Sequence, residues 1–153
     1  LAVGEPKIEM LKVINFMDTI LPKEKPRYLM GIGTPADLVE SVLNGIDMFD
    51  CVLPTRNARN SQLFNFDGKI NIRNAKYSHD FSSIDEHNFS PISNKYSKAY
   101  LHHLFKTNEI LGLRIATEHN LKFYMYLMEL IRCNIKSDNF ESWAKKFLER
   151  YNN

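Results

Sequence analysis

Residues 45–60, GIDMFDCVLPTRNARN, decide the reading of this chain. Ile46, Met48, Phe49, Val52 and Leu53 form a short apolar run that stops at Pro54, the pattern of a buried strand over residues 46–53. Gly45, just before it, suits the left-handed cap of a preceding helix. Asp50 falls near the C-terminal end of the strand, beside Phe49 and Cys51. In α/β barrels that end of the strands carries the active site. A carboxylate partly withdrawn from water there can act as nucleophile, base or charge stabiliser. Position alone leaves a loop-capping role equally open. Asp47 falls on the opposite face by the period of two and reads as a capping or solvent-side residue.

Toward the N-terminus the same grammar repeats. Residues 27–31, RYLMG, predict a second strand, and Thr34 or Pro35 opens a helix whose apolar face is Leu38, Val39, Val42 and Leu43. Before it, Pro6 starts a helix carrying Ile8, Leu11, Ile14, Phe16 and Met17, closed at Leu21-Pro22. Residues 1–4 read as the end of another apolar strand. Strand and helix in alternation predict parallel strands joined by crossovers. The Gly31-Ile32-Gly33 triplet lacks the third glycine of a dinucleotide fingerprint; a tight turn allowing close approach is the simpler account.

After Pro54 the chain becomes polar. Arg56 and Arg59 follow the Asp50 strand, and Lys69, Arg73 and Lys76 come soon after. Paired arginines suit phosphate oxygens, and a solvated basic surface is the plain alternative. Residues 63–74 predict a hairpin turning at Asp67-Gly68. From Tyr96 on the pattern is helical: one helix to about Gly112, a second over 121–135, and a third over 139–151. His102, His103 and His119 have no metal-ligand spacing of their own and read as packed or surface residues.

The bulk properties fit one ordinary domain. The chain has 153 residues, 44% of them hydrophobic, and a formal net charge of +2. That charge does not announce nucleic-acid binding. Two widely spaced cysteines, Cys51 and Cys133, suggest neither a disulfide framework nor a cysteine-rich metal site, and a reducing cytoplasm is the plain reading. No apolar run reaches about 18 residues, so no membrane span is expected. The first residues carry no signal-peptide pattern, and without an initiator Met the chain reads as a cut piece or a broken frame. It is well short of the roughly 250 residues of a closed eight-stranded barrel.

The run 45–60, with RYLMGIGTP at 27–35, INIRNAKY at 70–77, AYLHHL at 99–104 and TEHN at 117–120, resembles the C-terminal part of the bacterial tRNA-guanine transglycosylase family. The resemblance implies the C-terminal portion of a (β/α)8 TIM-like barrel, about three strand–helix units, with a zinc-subdomain insertion and C-terminal helices. It divides the chain into residues 1–54, the last barrel units; 55–95, an RNA-contacting hairpin and a degenerate zinc subdomain; and 96–153, the helices. It implies exchange of wobble guanine in tRNA for a 7-deazaguanine, through a covalent link between an aspartate and ribose. Asp50 matches the nucleophile. Leu1, Ala2, Met30 and Gly31 match the base pocket, Arg56 and Arg59 the tRNA anticodon contact, and Tyr96, Tyr100 and His103 a homodimer helix.

Two departures accompany the resemblance. The family's zinc motif, CxCxxC followed later by His, here reads Asn88, Ser90, Ser93 and His119, so no bound zinc is expected and residues 88–93 should be loosened. About five strand–helix units and the family's second catalytic aspartate have no counterpart in the chain. An enzyme completed by a missing N-terminal half, a non-catalytic tRNA-binding module and a decayed remnant all stay open.

Overall fold

The structure, a computed structural model, describes residues 4–87 and 89–151. It is a mixed α/β arrangement, mostly helical, with two small two-stranded sheets. The chain divides into two compact units. One takes the chain up to Leu53 and from Asn134 on; the other is Pro54–Cys133.

In the first unit, helix α1 (Lys7–Asp18) starts at Pro6 and buries Met10 and Ile14, one turn apart. Strand β1 (Tyr28–Met30) leads to helix α2 (Pro35–Leu43), and strand β2 (Met48–Asp50) returns parallel to β1. The register pairs Tyr28 with Met48, Leu29 with Phe49 and Met30 with Asp50. Both strands are shorter than the sequence predicts, and β2 stops at Asp50 because helix α3 (Leu53–Arg59) begins three residues later. The strand expected over residues 1–4 lies almost wholly outside the described residues, and Gly4 is not in a strand.

Alternation gives this small sheet two unlike faces. Leu29 and Phe49 pack with Met10, Ile14, Ile32 and Ile46 to make the core of the unit. Arg27 is buried where α1 ends, pairing with the Asp18 carboxylate and donating to the Leu21 carbonyl at 2.9 Å. That ion pair holds Asp18 below the usual carboxylate range, the Arg27 hydrogen bond being the main cause. The α2 start is capped by Thr34, whose hydroxyl accepts from the Asp37 N–H at 3.2 Å. Helix α7 (Phe140–Tyr151) belongs to this unit and packs against α2.

The second unit begins with α3, a helix that the sequence pattern does not announce. Only Pro54 and Ala58 are buried in it, too few to give a periodic signal. Strands β3 (Gln62–Asn65) and β4 (Gly68–Asn71) form the expected hairpin. Its loop residues are Phe66 and Asp67, one position earlier than predicted. Gly68, at φ +109°, is the first strand residue after the turn, and the Asn65 side chain accepts from the Asp67 N–H at 2.9 Å. A short α4 (Pro91–Lys95) is followed by α5 (Lys98–Lys106) and the long α6 (Ile110–Lys136).

The α5 break comes at Thr107 and Asn108 and not at Gly112. Asn108 takes the left-handed conformation, φ 56°. Gly112 lies inside α6, where a Cβ would stand 3.0 Å from that of Leu104. The glycine therefore serves close helix packing and not a cap. The core joins Ala58, Leu63 and Ile72 to Leu101, Phe105 and Ile115. Among the described residues no helix is long and apolar enough to cross a membrane.

Candidate functional site

Asp50 is the last residue of β2, on the sheet face away from the core. Its Oδ1 accepts from the Tyr28 hydroxyl at 2.6 Å and from the Gly31 backbone N–H at 3.1 Å. These two bonds, the tyrosine's first, hold the carboxyl below its ordinary range. The group is therefore an ionised, oriented carboxylate. Both bonds fall on one oxygen, which leaves Oδ2 as the candidate reacting atom.

The sequence pattern does not single out Tyr28, yet it is the main partner of Asp50. The signal was present in RYLMG: residues 28 and 30 share a face by the period of two, and that face carries Asp50 in the neighbouring strand. Tyr28 is 51% exposed, Met30 66% and Met48 52%. Three large side chains open to solvent around one carboxylate make a face built for a covering partner or ligand. Met30 and Gly31, proposed to line a base pocket, thus lie at Asp50. Leu1 and Ala2, proposed for the same pocket, lie outside the described residues.

The two glycines after β1 have separate reasons. Gly31 has φ +76°, which turns its N–H onto the Asp50 carboxylate. At Gly33 a Cβ would lie 2.0 Å from the Cys51 sulfur. Half-buried Cys51, its thiol pushed up mainly by burial, fills that space. Asp47 is structural: its Oδ2 accepts from the Arg27 backbone N–H at 2.8 Å.

Arg56 and Arg59 are exposed on α3 in the second unit, and neither pairs with a described carboxylate. Lys69, Arg73 and Lys76 of the same unit are exposed too. Arg73 donates to the Asn108 side chain at 3.5 Å and lies 6.0 Å from the Phe105 ring. Unpaired guanidinium groups keep their forks free for phosphate.

His119 and Asn120 are fully buried on α6. The Asn120 side chain accepts from the Phe64 N–H at 3.0 Å and donates to the Pro54 and Gln62 carbonyls at 2.9 and 3.0 Å. His119 Nε2 lies 2.8 Å from the Phe64 carbonyl, and its Nδ1 lies 2.8 Å from Ser93 Oγ. A carbonyl only accepts, so Nε2 carries the proton. Nδ1 must then accept from the serine hydroxyl. Burial lowers the His119 pKa to about 4, against the opposing pull of the Phe64 bond.

That geometry bears on the zinc that the family resemblance implies. Of the four matching positions, Asn88 lies outside the described residues. Ser90 and Ser93 are buried neutral hydroxyls, and the single free lone pair of His119 is taken by Ser93. Among the described residues no three His, Cys, Asp or Glu gather to hold a metal ion. Hydroxyls without thiolates are the wrong donors for zinc, and the residues do not fit it. Tyr96 and Tyr100 stack at 5.5 Å beside a groove of about 350 Å³, with exposed His103 further along α5. His102, by contrast, is buried and donates from Nδ1 to the Ile72 carbonyl at 2.8 Å.

Comparison with known proteins adds the family. The model of the family described as queuine tRNA-ribosyltransferase matches residues 1–153. The chain is 55% identical over 150 residues to a queuine tRNA-ribosyltransferase of Mannheimia succiniciproducens, covering 98% of this chain and 40% of the relative. It is 50% identical over 151 residues to one of Zymomonas mobilis, covering 99% of this chain and 39% of that protein. A Caldanaerobacter subterraneus relative of the same description is 52% identical over 151 residues, 99% of this chain and 40% of its own length. The chain thus spans about two fifths of the curated relatives it matches.

Proposed function

The chain belongs to the queuine tRNA-ribosyltransferase family, and from that membership we propose that it is the C-terminal part of a tRNA-guanine transglycosylase in which Asp50 is the nucleophile. The observation that carries this reading is the state of the Asp50 carboxylate. It is ionised, fixed through Oδ1 by Tyr28 and Gly31, and open at the end of a parallel strand. Oδ2 attacks the anomeric carbon of the wobble ribose. An O–C bond forms as the glycosidic C–N bond to guanine breaks, and guanine leaves with the bonding pair. A 7-deazaguanine then displaces the carboxylate in a second step, regenerating Asp50.

In this reading residues 1–54 supply the last strand–helix units of a (β/α)8 barrel. Residues 55–95 supply the tRNA-contacting hairpin and the altered subdomain, and 96–153 the helices. The exposed face of Tyr28, Met30 and Met48 supports it, because in a barrel that face turns inward and is covered by the remaining strands. Met30 and Gly31 bound the base. Arg56 and Arg59 take anticodon-loop phosphates in the cytoplasm. Tyr96, Tyr100 and His103 meet a second copy.

No second catalytic carboxylate is assigned in this chain, and proton transfer to and from the leaving and entering bases contributes roughly 10²–10⁴-fold in rate. The chain alone is therefore proposed to be inactive. The unpaired Arg56 and Arg59 favour RNA binding as the property it keeps by itself. The test is guanine exchange into tRNA by the chain combined with the N-terminal portion of a relative. Asp50→Asn is expected to abolish exchange while tRNA binding persists. Exchange surviving in Asp50→Asn would remove Asp50 from the nucleophile role.

A further inference from the structure

We propose that a metal-free clasp replaces zinc in the second unit: Ser93 Oγ donates to His119 Nδ1, and His119 Nε2 donates to the Phe64 carbonyl. The inference rests on the family membership and not on the role of Asp50, so exchange activity has no bearing on it.

The clasp ties three pieces of chain that are distant in sequence. Ser93 is in α4, His119 in α6 and Phe64 in β3. All three residues are buried, with Ser93 and His119 at 0% exposure. In that setting a hydrogen bond is not exchanged for one to water, and breaking it strands a polar group. Backbone bonds fasten the serine further. The Ser93 N–H reaches the Ser90 carbonyl at 3.1 Å, and the Ile84 N–H reaches the Ser93 carbonyl at 3.1 Å.

The residue between the first two altered positions supplies the apolar half of the anchor. Phe89 lies 5.2 Å from the His119 ring, 5.7 Å from Phe123, 6.2 Å from Phe66 and 6.0 Å from Tyr126. Aromatic pairs at these separations contribute packing beyond their buried area. Within residues 88–93, expected to be loosened without zinc, Phe89 and Ser93 therefore have anchors of their own. Three thiolates buried together need a dication, whereas serine hydroxyls are neutral. Asp85 is a buried carboxylate of this lobe whose oxygens, like Ser90 Oγ, have no hydrogen-bond partner among the described residues, and it raises the His119 pKa against the larger effect of burial. One carboxylate with two hydroxyls is too small a donor set for a transition metal.

The test starts with elemental analysis of the purified chain and its thermal unfolding with and without EDTA. Zinc, magnesium and calcium are each expected below about one tenth of an atom per chain, against the full atom of a structural site, with an unfolding temperature that EDTA leaves unchanged. A stoichiometric metal whose removal lowers that temperature would overturn the proposal. Ser93→Ala is expected to unfold roughly 2–6 °C lower, and an unchanged temperature would count against the clasp. Long-range proton–nitrogen NMR on the unaltered chain needs no variant to fold. It should find His119 protonated on Nε2 and bare on Nδ1, and the opposite tautomer would contradict the proposal. Finally, the triple variant Asn88→Cys, Ser90→Cys, Ser93→Cys should take up about one zinc per chain. Absence of uptake would place the clasp somewhere other than the metal's position.

Discussion

Tyr28 shows how a carboxylate is prepared for chemistry by a neighbour. Its hydroxyl is the first of the hydrogen bonds that hold the Asp50 carboxyl below its ordinary range, followed by the Gly31 N–H and by the backbone of Asp50 itself. Tyr28→Phe removes that first contribution and leaves the others. The Asp50 pKa should then rise toward the ordinary carboxylate value, as read by carbon NMR of the side-chain carboxyl against pH. A pKa that stays put would mean that the tyrosine does not act on the carboxylate. His119 works in the opposite sense. Burial lowers its pKa from 6.5 to about 4, so the unfolded chain takes up the proton first as pH falls. Stability from this residue is full above about pH 6.5 and is lost on acidification toward pH 4. Between pH 7 and 5 the loss should be about 2 kcal/mol by urea unfolding. A flat profile over that range would mean that the imidazole is solvated. Asp50 was legible in the sequence because a strand-end carboxylate is a local pattern. The Ser93–His119 bond was not, because its partners stand 26 residues apart.

At the scale of elements, short motifs were easier to find than to delimit. The hairpin follows from two alternating runs around a turn, but its loop sits one residue early, because Gly68 does its work as the first strand residue. The sequence pattern places the α5–α6 break at Gly112, but it lies at Asn108, and Gly112 serves a close helix contact that only the folded pair reveals. Helix α3 carried no periodic signal at all. It is held instead by Asn120, which binds the Pro54 carbonyl at its start and the Gln62 carbonyl and Phe64 N–H along the free edge of the adjoining β3. Asn120→Ala would strand a buried N–H and two carbonyls. A loss of about 2–5 kcal/mol is expected by denaturant unfolding. A loss under about 0.5 kcal/mol, the range of ordinary surface changes, would show that α3 and β3 do not depend on it.

For the whole molecule, composition was a weak guide. A net charge of +2 conceals the exposed Arg56, Arg59, Lys69, Arg73 and Lys76 of one unit. If these meet RNA phosphates, binding of an anticodon stem-loop must weaken with salt. Arg56→Ala should weaken it uniformly and reduce the salt slope by about one. An unchanged slope would remove Arg56 from the contact. The parallel pairing of β1 and β2 was legible from alternating strand and helix signals. The division into two units was not, because α7 joins the N-terminal stretch from the far end of the chain. The exposed inner-type face around Asp50 and the two-fifths coverage of the relatives both fit a larger barrel.

The central claim is the covalent role of Asp50, and the most direct measurement is the site of attachment itself. The chain is combined with the N-terminal portion of a relative, incubated with tRNA, quenched under denaturing conditions and digested, and the RNA-bearing peptide is sequenced by mass spectrometry. The expected result is a ribosyl ester on Asp50, absent in Asp50→Asn. An adduct on any other residue, or one that persists in Asp50→Asn, would contradict the account.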